Sequence, residues 1–430
     1  MSIAMIALGF GAMLAMMLLG LPIVTSMAAV GIVGGIAAYG APFLDSIAPV
    51  VWGVQNDNLL TCIPLFVLLG ELLLRSGIAD RMYTTLAAWL GRLPGGLLHT
   101  NIGSSALFAA TSGSSVATAA TVGTVALPSL QARGYSMRSS LGSLAAGGTL
   151  GILIPPSLNM IVYGSLTSNS IGKLFIAGII PGILLTLCFM LYIAGSALWN
   201  KETMREEKVP LGERIRLLRH FIPPAIVFGV VMGSLYLGIA TTTESAALGV
   251  MAALFFVWQS GKMSWELLRN CFISSARISG MILLIMVAAF ILNLTISLTG
   301  VAETMTKWVV GLGFSATGLI LALLVFYLIL GMFMDVLSMQ VATIPITYPI
   351  AMALGIDPIW YGIFIVLVCE LGMITPPVGM NLFVVHGIRP DNGGIQDAIW
   401  GAVPYAVIMI LFTLLLMAVP GLATWLPAHM

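Results

Sequence analysis

The chain has 430 residues, 59% of them hydrophobic and only 8% charged, with a formal net charge of +1. A mean hydropathy of +1.08 excludes a soluble globular domain, which needs far more charge to cover its surface. The near-neutral balance gives no footing for nucleic-acid binding. The four cysteines (Cys62, Cys188, Cys271 and Cys369) stand singly in apolar runs, in neither disulfide nor metal-ligand spacing.

Apolar runs near the roughly 20 residues that cross a bilayer core recur from end to end. The first, near 3–20, starts without a basic n-region or an A-x-A site and is expected to be a retained span. Spans are expected near 23–40 and 58–75. The next apolar stretch, 95–131, fits a single pass poorly and carries Thr111-Ser112-Gly113-Ser114-Ser115 at its centre. A helix over 97–110 would be about 21 Å long at roughly 1.5 Å per residue, too short for a core of about 30 Å. Two such arms joined at a Ser/Gly tip make a re-entrant hairpin; two short tilted spans are the alternative. Spans near 137–166 and 173–199 follow. The polar segment 200–220, with six Lys/Arg and four Asp/Glu, reads as a cytoplasmic connecting loop. Beyond it lie spans near 221–239, 242–260 and 270–298. A second hairpin-like stretch, 314–353, has Gly331-Met332-Phe333-Met334-Asp335 ahead of its tip and Pro345 and Pro349 in its return arm. Spans near 357–387 and 398–419 close the chain. Pro223-Pro224 reads as a helix start.

The halves match. Gly77, Ala79, Asp80 and Met82 find Gly300, Ala302, Glu303 and Met305 at an offset of 223, as Pro181 finds Pro404. Gly151, Pro155 and Pro156 find Gly372, Pro376 and Pro377 at 221, and Thr25, Ala28, Ala29 and Gly31 find Thr243, Ala246, Ala247 and Gly249 at 218. A nearly constant offset with paired Pro-Pro breaks indicates duplication. The expected organisation is a first repeat over 1–199 (hairpin about 95–131, broken helix about 137–166) and a second over 221–430 (hairpin about 314–353, broken helix about 357–387). Five spans and one hairpin per repeat force the second repeat to insert upside down, the inverted-repeat plan of secondary transporters. With the central loop cytoplasmic, both termini fall outside, and only Lys173 and Lys307 of the seventeen Lys/Arg lie there with them. The two hairpins then enter from opposite faces and their tips meet near mid-membrane. The fold class expected is an all-α polytopic membrane protein with two re-entrant hairpins and two broken helices.

Helical geometry breaks inside apolar sequence at 112–115, 148–156, 334–338 and 372–377. Irregular backbone in lipid leaves costly unpaired groups, so it must face protein or a wet cavity. Freed carbonyls there are hard donors for a small dehydrated cation, and hydroxyls of Ser112, Ser114, Ser115, Thr118, Thr149 and Thr375 can complete the shell. Half-helices starting after Pro156 and Pro377 point free N–H groups into the same region, which favours an anion. Packing kinks alone would explain four paired breaks less well than a single one. Intramembrane acids are expensive and default to functional candidates. Function is favoured for Asp335 and undecided for Glu370. Glu71 is expected to pair with Arg75 one turn on, and Glu244 to cap a helix. His99, His220, His386 and His429 form no metal or catalytic motif; His99 and His386 are expected to be satisfied polar residues. No Walker motif occurs, which leaves an ion gradient as the simplest energy source.

These motifs resemble a known family. The run from Thr111 through Ser115 to Ala120, then Gly151-Ile152-Leu153-Ile154-Pro155-Pro156-Ser157, are similar to the large membrane subunit of tripartite ATP-independent periplasmic (TRAP) transporters. So are Gly331–Asp335, Thr375-Pro376-Pro377-Val378-Gly379, and Thr243-Glu244-Ser245-Ala246-Ala247-Leu248-Gly249. The likeness covers nearly the whole chain; Ser115 replaces the more usual Ala after Ser-Gly-Ser. The resemblance implies Na+-driven import of small organic acids, often carboxylates or sugar acids, in a bacterial inner membrane. It implies two partners, a separate small four-helix membrane subunit and a periplasmic binding protein, and an elevator motion of a transport domain against a scaffold. Carried onto this sequence, it places one Na+ site at Ser112, Ser114, Gly148 and Gly151 and a second at Gly331, Asp335, Gly372 and Thr375. Substrate contacts would fall at Ser115, Thr118, Pro155, Pro156, Pro376, Pro377 and Asn381. The rival readings are a stand-alone ion-coupled carboxylate transporter of similar design, a channel, and a membrane-embedded enzyme. The enzyme would need a nucleophile–base pair or a His/Asp cluster, and neither is found.

Overall fold

The structure, a computed structural model, describes residues 3–199 and 209–429, with helices and no strand among them. The first half runs α1 (Ile3–Leu18), α2 (Ile23–Tyr39), α3 (Ile47–Gln55), α4 (Cys62–Arg75), α5 (Ile78–Leu90), α6 (Leu97–Ser112), α7 (Ser115–Ala132), α8 (Met137–Leu153), α9 (Leu158–Thr167) and α10 (Ile171–Trp199). The second runs α11 (Leu211–Leu217), α12 (Ile222–Tyr236), α13 (Thr242–Gln259), α14 (Trp265–Leu298), α15 (Val301–Gly311), α16 (Ala316–Gly331), α17 (Val336–Ala353), α18 (Pro358–Met373), α19 (Met380–Gly387) and α20 (Gln396–Ala418). Among the described residues five helices are long and apolar enough to cross a membrane, and up to eight if each bent pair is one span. The bent pairs are α4–α5 at 64°, α8–α9 at 41° and α15–α16 at 117°.

Local chemistry sets the boundaries. Ser114, Ser157 and Asp335 cap α7, α9 and α17, each accepting from an N–H three residues on. α5 and α15 both begin after a left-handed glycine, Gly77 at φ 72° and Gly300 at φ 66°, a conformation that L side chains avoid. Pro223 and Pro224 open α12, as their fixed φ and missing N–H favour. α13 starts on a full capping box between Thr241 and Glu244.

The two broken helices lie deepest. Every residue of α8 from Ser140 to Leu153 is buried, as is every residue of α18 from Trp360 to Met373. Large apolar side chains stand exposed on α1, α10, α14 and α20, among them Leu8, Leu191, Leu284 and Leu411, as helices facing lipid require. Each short second half-helix packs across the molecule: α9 lies on α17, and α19 lies on α7 and α8. At the α8–α20 crossing nothing but backbone intervenes, since a Cβ on Gly401 would stand 3.0 Å from the Gly142 Cα.

Three expectations needed revision. The span near 58–75 is shorter than expected, since α4 begins only at Cys62, and the separate α3 ahead of it was not anticipated. α5 and α15 are helices of their own, too polar to register as apolar runs. Part of the segment 200–220 is helical, because Leu211, Ile215 and Arg214 share a short amphipathic turn; residues 200–208 lie outside the described residues. There Arg214 stacks on Trp89 at 5.9 Å, and the Trp89 indole N–H donates to Arg214 O at 3.2 Å.

Candidate functional site

The first hairpin turns through a two-residue link. Gly113 is left-handed at φ 60°, and a Cβ there would stand 3.0 Å from Pro156 O. The tip is therefore pressed against the Pro155-Pro156 break. Glycines on α8 let its backbone approach the same turn. A Cβ on Gly151 would lie 2.8 Å from Ser114 O, and one on Gly148 would lie 3.2 Å from Ser115 O and 2.8 Å from Asn381 Nδ2. Ser114, Gly148 and Gly151 thus converge, with Ser115 and Pro156 at their rim. Ser112 closes α6 beside them; its side chain lies outside the described residues. Pro155, Pro156 and Thr118 are buried around this point.

The second hairpin repeats the arrangement with a longer turn. Gly331 ends α16, and a Cβ on Gly372 would stand only 2.6 Å from its Cα. The Val378 N–H donates to Met332 O at 3.2 Å, tying the tip to the Pro376-Pro377 break. Both Pro-Pro bonds are cis. Gly331 and Gly372 are therefore in direct backbone contact. Asp335 and Thr375 stand on the flanks and have local partners. The Asp335 carboxylate accepts from Ser338 N at 3.2 Å and from Ser338 Oγ, which makes it a helix cap, a role the sequence did not suggest for it. Thr375 Oγ1 donates to Leu371 O at 2.7 Å. Pro376 is half-buried and Pro377 exposed.

The two halves are joined by side chains. Ser115 Oγ donates to the carboxylate of Glu370 on α18, and Asn381 Nδ2 donates to Ala145 O on α8 at 3.3 Å. The Ser115–Glu370 contact was missed from sequence; the signal for it was a buried acid two residues before a break. Gln340 on α17, also unanticipated, is fully buried with both amide atoms lacking a partner among the described residues. Glu71 does pair with Arg75 at 2.8 Å, and Glu244 does cap α13. His99 bonds Pro94 O at 2.7 Å near the start of α6, far along that helix from the tip.

The arrangement offers hydroxyls, main-chain carbonyls and one buried carboxylate around two backbone crossings. No group of three or more His, Cys, Asp or Glu that could hold a metal ion occurs among the described residues. Hard oxygen donors and helix ends are groups able to hold small ions and anionic solutes.

Residues 10–422 match the family described as the tripartite ATP-independent periplasmic transporter, DctM component. The chain is 33% identical over 440 residues to the C4-dicarboxylate TRAP transporter large permease protein DctM of Rhodobacter capsulatus, spanning 97% of this chain and 98% of that one. It is 30% identical over 424 residues to the ectoine TRAP transporter large permease protein TeaC of Halomonas elongata, spanning 96% and 97%. Among solved structures, the Alcanivorax borkumensis YdaH transporter superposes with a TM-score of 0.63 over 89% of each chain, at 14% identity, a likeness of fold alone. With paired hairpins, paired breaks and a family match over almost its whole length, the chain belongs to the tripartite ATP-independent periplasmic transporters as their large membrane permease, the DctM component.

Proposed function

We propose that this permease couples inward movement of a small organic acid, a carboxylate or sugar acid, to a Na+ gradient. The observation that carries the reading is the doubled backbone crossing: Ser114 on Gly151 in one half, Gly331 on Gly372 in the other. Close glycine approaches bring main-chain carbonyls near one another, hard donors that suit a small dehydrated cation. Na+ is assigned to Ser112, Ser114, Gly148 and Gly151 at the first crossing, and to Gly331, Asp335, Gly372 and Thr375 at the second. The substrate carboxylate is assigned to the space between, beside Ser115, Thr118, Asn381 and the starts of α9 and α19. Relatives named for a C4-dicarboxylate and for ectoine share the architecture, so substrate choice falls to side chains rather than fold. A small four-helix membrane subunit and a periplasmic binding protein complete the transporter. The inner membrane holds it with both termini periplasmic, and the hairpin-bearing part moves as an elevator against the remainder.

The test is uptake into proteoliposomes containing this chain, its small membrane partner and the binding protein, with a panel of radiolabelled organic acids. Uptake of one acid driven by an inward Na+ gradient, and collapsed by equal Na+ on both sides, is the expected result. Uptake indifferent to Na+ would remove the coupling. Full uptake by this chain alone would favour a stand-alone transporter.

A further inference from the structure

Among the described residues Glu370 is the one acid that is wholly buried, at 0% exposure. It stands near the end of α18, and the residue 221 positions earlier, near the end of α8, is Thr149. Thr149 is also buried, and its hydroxyl is satisfied inside its own helix by Ala146 O at 2.7 Å. One half thus fills the position without charge and the other fills it with a carboxylate. Packing does not account for the acid.

The Glu370 carboxylate is only half-satisfied. One oxygen accepts from Ser115 Oγ; the other, Oε2, is buried with no partner among the described residues. No Lys or Arg among those residues pairs with it. A carboxylate out of water with a bare oxygen is costly, and that cost is removed either by a proton or by a paired or coordinated cation. A second bare oxygen lies in the same crossing. Asn381, the second residue of α19, donates through Nδ2 to Ala145 O and leaves a buried Oδ1 unpartnered among the described residues. Ser115 borders both groups. Its hydroxyl holds Glu370, and its carbonyl lies 3.2 Å from the point where a Gly148 Cβ would stand, with the Asn381 amide 2.8 Å from that point.

We infer that Glu370, Asn381 and Ser115 form a further cation site, where α7, α8, α18 and α19 meet, for a small monovalent cation of Na+ size, at the edge of the space assigned to the substrate carboxylate, which Ser115 and Asn381 also border. Carboxylate, amide oxygen, hydroxyl and carbonyl are all hard donors, the set that alkali and alkaline-earth ions prefer. A single carboxylate is neutralised by a monovalent ion, whereas a divalent one would leave net charge in a buried site. The inference rests on the ion-coupled reading above and adds one cation to the two at the hairpin crossings. Because its ligands come from both halves, this ion ties the first hairpin to the second broken helix.

Equilibrium binding of radioactive Na+ to the purified full chain in nanodiscs tests it, with folding followed by size-exclusion elution. Glu370→Gln keeps the shape, removes the charge and is expected to lower saturating Na+ by one per chain. Asn381→Ala is expected to weaken that component by about tenfold, the effect of one lost ligand worth 1.4 kcal/mol, and serves if Glu370→Gln does not fold. Asp335→Asn should weaken a different component. Unchanged number and affinity in both the Glu370 and Asn381 variants overturns the site while leaving the ion-coupled reading intact. Absence of Na+ binding by the unaltered chain overturns both.

Discussion

The two hairpin crossings use one backbone plan and differ in enclosure. In the first half the break is sealed: Pro155, Pro156 and Ser157 are buried, and Ser115 at the tip is 1% exposed. In the second, Pro377 is exposed and Phe333 at the tip is 51% exposed. The cause is visible in the links. The first hairpin turns through 113–114 and its broken helix through 154–157; the second uses 332–335 and 374–379, two residues more in each case. The shorter links draw helix ends onto each other, while the longer ones push side chains outward. One crossing is therefore covered and the other accessible.

That contrast can be broken in stages. The largest effect is expected from Gly372→Val. Its Cβ would meet the Gly331 backbone at 2.6 Å, and backbone cannot rotate aside. Overpacking of this kind costs about 3 kcal/mol, so folded yield by fluorescence-detected size exclusion should collapse. Gly151→Val, which meets Ser114 O at 2.8 Å, should be nearly as severe. A mild phenotype in either would show that its crossing is loose. Next in size are Asp335→Ala and the double change Ser112→Ala/Ser114→Ala. Each should abolish Na+-driven uptake with expression intact, because a lost helix cap costs only about 1 kcal/mol. Normal uptake in both would show that neither crossing holds the coupling ion. If only one abolishes uptake, the covered and open crossings have different duties. Pro156→Ala should reduce transport more than Pro224→Ala, since Pro156 meets the hairpin tip while Pro224 only opens α12. The reverse ranking in matched uptake assays would contradict the assignment of the breaks. The smallest effect is expected from Thr241→Ala, which removes the α13 capping box remote from either crossing. Thermal unfolding should register about 1 kcal/mol, with the Na+ dependence of uptake unaltered.

Most of this architecture could be read from residue order because membrane helices announce themselves by length and polarity. α10, α13 and α20 fall within a few residues of their expected bounds, and both hairpins turn at Ser114 and Asp335, where the apolar runs carry polar residues. α3 escaped because nine residues are too few for a span, and α5 and α15 because they are short and mixed in polarity, so a search for apolar runs of spanning length does not see them. Gly77 and Gly300 did mark the starts of α5 and α15, but were used only as evidence of duplication. In the candidate site, the glycine and proline positions were legible because backbone breaks leave a composition signature. The Ser115–Glu370 bond was not, since it joins residues 255 positions apart and depends on how the halves dock. Asp335 stands out in the sequence for its charge, while its place at the start of a helix is visible only in the fold.

The meeting of Gly142 with Gly401 bears on how this permease can move. Where two main chains touch with no side chain between them, there is no rotamer to shift and no cushion to compress. On the elevator reading proposed above, α8 and α20 are expected to travel together at that point. The flank between α1–α2 and α14–α17 is the opposite case, an apolar hollow of about 480 Å³ edged by Phe10, Met13 and Ile346. On that same reading, sliding runs along surfaces of the second kind, with α20 on the same side of the boundary as the first broken helix.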